Sequence, residues 1–464
     1  MKSFFILSGS SGLCKGAAIL TLLMISGFAT AQNPVLEAYI MEGLQSNQAL
    51  RQKQLDYSMS LAALKGARGL FFPDVSLNAR YTVARGGRII GFPVGDLLNP
   101  VYSTLNILTG SDLFPQVENQ EFPFYRPTEQ ETKLSVVQPI FSSEILYNYR
   151  IQKQYTEIAR VGVDQYEREL IREISRAYYE YQKAFNLVWL ADTSYALVKE
   201  NLRVSQRLFE NDKVTVDAVY RSEAEMSQVE VQQAQARNME EASKAYFNFL
   251  LNRSLTEPIE LFRTDPQPLQ VSLDEATLAA LQNRDELEKI RQYRQLNEHV
   301  ADLYRGRNIP GLYGVVDYGI QGEEYSFTQD DDFLLASLVM QWTLFKGSVN
   351  RQKVKESEIE AEKLETLYQE AVQKISLEVI NNYYAVNAAL EAVQSAYSQS
   401  RSSNRAYELI SRKYSEGQSA LLELIDARTS LTRAVANYII AQSEYFSQMA
   451  DFEYAMGTAI SGIE

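Results

Sequence analysis

Residues 151–209 decide the fold, and they read IQKQYTEIARVGVDQYERELIREISRAYYEYQKAFNLVWLADTSYALVKENLRVSQRLF. Apolar residues recur along this stretch with gaps of three, four, seven or eight, which is the stripe of one uninterrupted amphipathic α-helix. No proline falls between Pro139 and Pro258 to break it. At 1.5 Å per residue the helix runs roughly 90 Å, longer than an ordinary globular domain holds. The stripe is rich in Tyr and Ala and lacks a strict heptad, which favours packing in a helical wall over a lone coiled coil.

Composition narrows the class of protein. Of the 464 residues, 22% are charged and 45% are hydrophobic, which is typical of a folded chain. The net charge of −14 argues against a nucleic-acid partner, because such a partner needs positive charge to neutralise its phosphates. One histidine and one cysteine exclude a multi-histidine zinc site within one subunit and an intrachain disulfide. We expect no cofactor and no metal site.

Residues 1–31 predict a cleaved signal peptide. A positive charge at Lys2 is followed by an apolar run over 17–28 and by the small-residue cleavage site Ala-Thr-Ala over 29–31. An uncleaved membrane helix is the alternative, but the run is short for a span. No later apolar run approaches twenty residues, so we expect an exported protein whose membrane spans, if any, are strands.

The remaining chain is an internal duplication, which is its strongest organisational signal. Residues 36–73 match residues 237 positions further on without a gap, and later residues match at an offset of 205. The difference, 237 − 205 = 32, is extra sequence inside the first repeat. The matching pairs include Leu36 and Leu273, Pro73 and Pro310, Tyr178 and Tyr383, Tyr179 and Tyr384, and Phe247 and Phe452.

The duplication sets the predicted organisation of the mature chain. The first repeat covers 32–252, a proline-rich linker 253–270, the second repeat 271–457 and a short tail 458–464. In each repeat we predict an opening helix, a β-hairpin, a long helix, a tight turn and a returning helix. The opening helices are 35–70 and 273–307, the long helices 151–209 and about 350–413, and the returning helices about 215–252 and 419–456.

Proline ends each opening helix, and alternating apolar and polar residues then predict strands. These are 75–83 with a return strand over 131–141, and 312–321 with a return strand over 333–345. In the last strand Leu338 belongs to the apolar face and Ser337 to the other face. Strands of about ten residues with one apolar face suit a tilted outer-membrane strand. Two ordinary surface hairpins are the alternative, and the recurrence in both repeats favours a barrel.

Two further features follow from the hairpins. Aromatic residues stand at the strand ends, where a membrane barrel has its aromatic girdle. The 32 extra residues fall in the long hairpin loop 86–130, which we expect to be extracellular. Four strands cannot close a barrel, so several copies of the chain must contribute to one. The girdle residues are Phe71, Phe72, Phe141, Trp342 and Phe345.

The turn between the last two helices carries the most specific motif, YSEGQSALLELIDA over 414–427. It resembles the Tyr-x-x-Gly turn and the following apolar-acidic helix start of the TolC-like outer-membrane efflux protein family. The first turn, FENDKV over 209–214, is similar, with Asp212 in place of the usual glycine. The resemblance covers nearly all of the mature chain, because both repeats have the family's order of elements.

The resemblance implies a mainly α fold with a β-barrel portion. Three copies make a homotrimer with a 12-stranded β-barrel in the outer membrane, continued by a long α-helical barrel in the periplasm. Such a protein is a passive exit duct for efflux or type I secretion. Its partners are a periplasmic adaptor (membrane fusion) protein, an inner-membrane pump and the outer-membrane lipid.

The resemblance also assigns candidate site residues. Glu423 and Asp426 lie three apart on one helical face and would form an acidic ring at the periplasmic aperture, with Asp217 as a weaker candidate. A solvated acidic pair favoured by the helix dipole is the alternative. The exposed turns are the candidate adaptor-docking tips. Their residues are Asn211, Asp212, Lys213, Glu416, Gly417 and Gln418.

Two other classes of function remain open at this stage. An exported structural or adhesive coiled-coil protein has no use for the paired hairpins with Pro73 and Pro310 before them. A secreted helical enzyme needs a catalytic set, and the only histidine, His299, lies alone in a helix. We therefore favour the export duct.

Overall fold

The computed structural model describes residues 33–325 and 331–458. The predicted signal peptide and tail residues 459–464 lie outside this part of the chain. The elements are α1 Pro34–Ser46, α2 Gln48–Gly69, β1 Asp74–Val83, β2 Ile89–Phe92, α3 Val94–Thr109, β3 Gln120–Pro123, β4 Thr128–Phe141, α4 Ser143–Glu210, α5 Val216–Leu250, α6 Leu273–Asn283, α7 Asp285–Gly306, β5 Gly311–Gly322, β6 Asp332–Gln341, α8 Val349–Ser415 and α9 Leu421–Met456.

The long helices dominate the molecule, which is mainly α with a small β portion. Helix α4 has 68 residues and α8 has 67. Helix α4 begins earlier than the apolar stripe because Ser142 caps it, accepting a hydrogen bond from the Ile145 N–H at 3.4 Å. Its first turn is fixed to α7, since the Ser143 hydroxyl donates to the Gly306 carbonyl at 2.6 Å. Among the described helices, none is both long enough and apolar enough to cross a membrane.

The opening helices are each broken once, which the sequence analysis missed. The breaks fall at Asn47 and Arg284, which are equivalent positions of the two repeats. Asn47 has an extended ψ of 125° and caps the next helix, because its side-chain oxygen accepts from the Ala49 and Leu50 N–H groups at 2.9 Å. The predicted helices 35–70 and 273–307 are therefore wrong as single helices, and each is a pair.

Arg284 makes the second break by a different chemistry. Its buried guanidinium pairs with Glu286 at 2.9 Å and with Glu378 of α8 at 3.0 Å. It also donates to the carbonyls of Tyr454 and Ala455 near the end of α9. A side chain bonded to three helices fixes the bend between α6 and α7 as firmly as the asparagine cap fixes its counterpart.

The main sheet has four antiparallel strands in the order β1-β4-β5-β6. Its register pairs Val136 with Val316 and Val316 with Ala336. This alignment places the alternating apolar residues predicted for β1, β5 and β6 on one face together with Leu134 and Val136 of β4, while Val315, Leu335 and Val339 lie on the other face. Exposed members of the face are Val75, Leu77, Tyr81, Val83, Leu134, Val316, Tyr318, Leu334, Leu338 and Met340.

The last strand is shorter than predicted. Strand β6 ends at Gln341, which pairs with Gly311, the first residue of β5. Residues 342–345 are not in a strand, because the chain before Gly311 is a helix end and offers them no partner. Gly347 and Ser348, both with positive φ, then turn the chain into α8. The prediction of a strand over 333–345 is therefore wrong at its C-terminal end.

Two buried clusters cover the middle of the helices, one for each repeat. Tyr178 and Phe247 centre the first, and the equivalent Phe452 lies in the second beside Tyr383. The clusters are joined across the repeats by Tyr179 and Phe446, whose rings stack at 4.5 Å. The duplication in sequence is thus a duplication of the core.

The linker between the repeats has no regular structure but is held by tyrosine hydroxyls. The hydroxyl of Tyr39 accepts from the Glu260 N–H at 2.8 Å, and that of Tyr178 accepts from the Phe262 N–H at 2.8 Å. Tyr445 both accepts from the Gln267 N–H and donates to its carbonyl. The linker therefore packs on the two clusters rather than hanging free.

Glu453 gives this region a pH dependence. It lies on α9 against α4, in a small cavity that Arg168, Arg172 and Tyr454 also line. Burial raises the pKa of Glu453 from 4.5 to about 7. The folded chain therefore binds this proton more tightly than the unfolded chain does. The stability it contributes is full below pH 4.5 and is lost as the pH rises to about 7.

We predict that Glu453→Gln removes this dependence. The free energy of unfolding of the wild type should fall by on the order of 2–3 kcal/mol between about pH 5 and about pH 8, so the folded state becomes less stable. The variant should show a flatter profile and be the more stable protein at the alkaline end. Glu444→Gln, at an exposed position of the same helix, is the control. If the stability of Glu453→Gln changes with pH as that of the wild type does, Glu453 is not the source of the pH dependence.

Candidate functional site: the helix tips and the sheet faces

Both helix tips have the same backbone geometry. In the first, the N–H groups of Asp212 and Lys213 donate to the carbonyls of Phe209 and Leu208. In the second, Gly417 and Gln418 donate in the same pattern to Tyr414 and Lys413. This is the Schellman motif, in which one residue must adopt the left-handed conformation.

The left-handed residue differs between the two tips. Its φ is 74° at Gly417 and 54° at Asp212. Aspartate tolerates this conformation better than most residues with a side chain, so the missing glycine costs little. The six candidate docking residues are all exposed, and they form two similar turns.

The acidic candidates lie just beyond the second tip. Glu423 and Asp426 are exposed on one side of α9, beside the buried Leu424 and Ala427. The Ser419 hydroxyl donates to the Glu423 carboxylate and holds it at the helix start. Within one chain these two carboxylates therefore share a solvent-facing side, as their spacing predicted.

Asp217 is placed differently. It lies in the first turn of α5, accepts a hydrogen bond from Thr215 and is 3.7 Å from the Arg221 guanidinium. Both partners belong to its own repeat. Asp217 thus belongs to α5 of the first repeat, whereas the other two acids belong to α9 of the second.

A buried ion pair near the tips was not found from the sequence. Arg428 of α9 is almost fully buried and pairs with Glu225 of α5. Its other terminal nitrogen lies 3.4 Å from the Ser194 hydroxyl of α4. Arg428 thus ties the returning helix of the second repeat to the returning helix and the long helix of the first. One signal in the sequence could have revealed the buried arginine, because Arg428 lies on the apolar stripe of α9 between Leu424 and Leu431.

A second buried polar contact lies closer to the tips. The Ser205 hydroxyl of α4 is 2.8 Å from the Tyr414 hydroxyl of α8 and 3.0 Å from the Ser222 hydroxyl of α5. Removal from water raises the pKa of Tyr414. Three helices therefore meet through hydroxyl groups, and such buried groups are costly to separate without new partners.

The face of the sheet opposite the apolar one carries a ladder of charges. Arg80 pairs with Glu131 at 3.0 Å, Lys133 with Glu131 at 3.2 Å, and Lys133 with Asp317 at 3.1 Å. Two cations and two anions alternate across three strands. The salt bridges of the sheet therefore lie on the side opposite the main apolar face, and Leu335 and Val339 of β6 are also exposed on that side.

The five aromatic candidates all lie at the helix-side end of the sheet and are exposed. Phe71 and Phe72 precede β1, and Phe141 ends β4. Trp342 follows β6, and its indole N–H donates to the Asn308 carbonyl at 3.0 Å. The sheet thus has a band of large aromatic side chains where it joins the helices.

Comparisons with known proteins agree with this architecture. The sequence profile of the family described as Outer membrane efflux protein matches residues 278–458, which is most of the second repeat. Over 461 residues the chain is 22% identical to the outer membrane protein TolC of Salmonella enteritidis, covering 95% of this chain and 85% of that protein. It is 21% identical to the alkaline protease secretion protein AprF of Pseudomonas aeruginosa over 73% of this chain and 71% of AprF.

A solved structure has the same fold. The CmeC outer membrane channel of Campylobacter jejuni superposes with a TM-score of 0.75 at 14% identity, over 91% of this chain and 86% of that chain. The likeness in fold extends through both repeats, and it argues against the structural coiled-coil alternative. The chain is therefore a TolC-like outer-membrane efflux protein, a passive exit duct for efflux or type I secretion that lies in the outer membrane and extends into the periplasm.

Proposed function

We propose that three copies of this chain build the duct by closing their four-stranded sheets into one twelve-stranded barrel. The observation that carries the proposal is the open sheet: β1 pairs only with β4, and β6 only with β5. Unpaired strand edges cannot face lipid, whereas β6 of one copy and β1 of the next can satisfy each other. The apolar face then meets lipid, and the charged ladder faces the lumen.

The helices continue the barrel on the periplasmic side. Helices α4, α5, α8 and α9 of each copy form the wall of the tunnel, and the aromatic band marks the membrane boundary. The two turns of each copy then lie at the far end. Their exposed residues, 211–213 and 416–418, are the docking surface for a periplasmic adaptor protein, which recruits an inner-membrane pump.

The aperture lies beside these turns. Glu423 and Asp426 of three copies would form a ring of carboxylates that attracts cations, because a charged ring in a narrow pore focuses the field. Asp217 is a secondary member, because its charge is partly offset by Arg221. Opening moves α9 away from the axis, and an adaptor that binds the open tip better shifts the population toward it.

The strand assignment predicts a contrast between neighbours in β6. Leu338→Arg should block assembly in the outer membrane, because arginine on a lipid-facing strand position costs about 2–4 kcal/mol near the midplane. Ser337→Arg should assemble better, since this residue lies on the lumen side. Heat-modifiable trimers on a gel measure assembly. Equal yields from the two variants would invert or abolish the proposed register.

The acidic ring predicts the ion preference of the open pore. Glu423→Gln with Asp426→Asn should lose cation preference, and block by multivalent cations from the periplasmic side should weaken roughly tenfold. Single-channel recording of purified protein in planar bilayers measures both properties. Glu416→Gln, an exposed acid in the turn, is the control. If preference and block persist in the double variant, the two acids do not line the constriction.

The buried ion pair predicts which helices loosen together. Arg428→Met leaves Glu225 without its partner, and breaking a buried pair costs about 3–5 kcal/mol. Amide hydrogen exchange should speed up in the first turns of both α5 and α9. Arg428→Met with Glu225→Met should recover protection, because no unpaired charge is left behind. Arg433→Met, at an exposed position of the same helix, is the control. If Arg428→Met and Arg433→Met exchange at equal rates, the Arg428–Glu225 pair does not hold α5 and α9 together.

A further inference from the structure

The segment between β1 and β4 is a small folded unit with its polar side inward. Asn99 of α3 exchanges two hydrogen bonds with the backbone of Val117, at 3.0 and 2.8 Å. Asn106 does the same with Phe114, at 2.8 and 3.0 Å. The two asparagines are seven residues apart, hence on one side of the helix. Their hydrogen bonds hold that side of α3 against the backbone of residues 114–117, much as backbone hydrogen bonds hold a strand in a sheet.

The start of α3 is fixed in the same manner. The Asn119 side-chain oxygen accepts from the N–H groups of Gly95 and Asp96, at 2.9 and 3.1 Å. A Cβ at Gly95 would come within 2.3 Å of the Val117 carbonyl, so only glycine permits this approach. The helix is therefore held in one orientation by polar contacts along its whole length.

The other side of α3 is apolar and uncovered. Leu97, Val101 and Leu108 are 70%, 52% and 77% exposed, and their spacing of four and seven places them on one stripe. The helix has a single charged residue, Asp96, which lies off this stripe. Folding thus directs the polar side inward and the apolar stripe outward, which is the reverse of a helix that stabilises its own chain.

We propose that this stripe packs against the same unit of neighbouring copies, forming a collar around the outer exit of the duct. The proposal rests on the trimer proposed above. The unit follows β1 directly, and β1 is the edge that the next copy must pair, so the collar continues that interface. Copies related by a rotation axis present identical surfaces, and an uncharged stripe meets its neighbours without repulsion.

A lipid surface fits the stripe less well. Helices that lie on membranes carry lysine and arginine on a polar face that is free to meet the headgroups. In α3 the polar side is bonded to the unit's own backbone, and the one charge is negative. The stripe is therefore better suited to protein than to membrane.

The test is photo-crosslinking in isolated outer membranes. A benzoylphenylalanine placed at Val101 should give adducts between copies of the chain on irradiation, whereas the same group at Ser103, on another side of α3, should give few. A gel of unirradiated, unheated sample reports trimers independently. Trimers without an adduct from position 101 would overturn the collar and leave the barrel standing, and so would an adduct to lipid alone. Absence of trimers would overturn the barrel itself.

A second variant tests the same contact without a bulky probe. Leu97→Ser, Val101→Ser and Leu108→Ser together should leave each chain folded, because these side chains contribute little to its own packing. The temperature at which trimers dissociate should fall by several degrees if the stripe is buried between copies. Ser103→Ala is the control. A dissociation temperature equal to that of the wild type would overturn the proposal.

Discussion

Backbone groups at a strand edge must find partners, and this requirement organises the β portion of the chain. Inside one copy β4 and β5 are fully paired, while β1 and β6 each keep one open side. Each unsatisfied polar group in hydrocarbon costs several kcal/mol, so two open edges of about ten residues outweigh the whole stability of a typical domain. A single chain is therefore an incomplete membrane structure, and the proposed trimer is one arrangement of identical sheets that leaves no edge.

Much of the architecture was predictable because the two repeats share one sequence pattern. The equivalence at an offset of 237 aligns Gln48–Gly69 with Asp285–Gly306 and both breaks with each other. The apolar alternation grouped the apolar residues of β1, β5 and β6 on one face as the structure has them, because side chains alternate with the pleat, whereas β2 and β3 were not predicted. The breaks themselves were missed because neither Asn47 nor Arg284 interrupts helical periodicity. Asn47 is a local N-cap that is also bonded to the Leu250 carbonyl, whereas Arg284 acts through its ion pair with Glu378, a tertiary contact that no local pattern contains.

The site was predictable only where a local motif carries it. Gly417 and its equivalent Asp212 belong to turns whose hydrogen bonds are local, so the sequence sufficed to locate both turns. Arg428 is different, because its meaning depends on Glu225, which lies some two hundred residues earlier. The folded unit in the long loop was missed for a third reason. Its helix is held by asparagines that read as turn residues, and its apolar stripe points away from its own chain.

The charges along the proposed duct are arranged differently at the sheet and at the helix tips. At the level of the sheet, Arg80 and Lys133 balance Glu131 and Asp317, each within about hydrogen-bond distance of its partner. A wall whose charges cancel within a few ångströms projects little field into a lumen, because screening removes what remains. At the tips Glu423 and Asp426 have no cation partner among the described residues. We therefore propose that a preference for cations arises mainly at the periplasmic end, where Glu423 and Asp426 of three copies would come together.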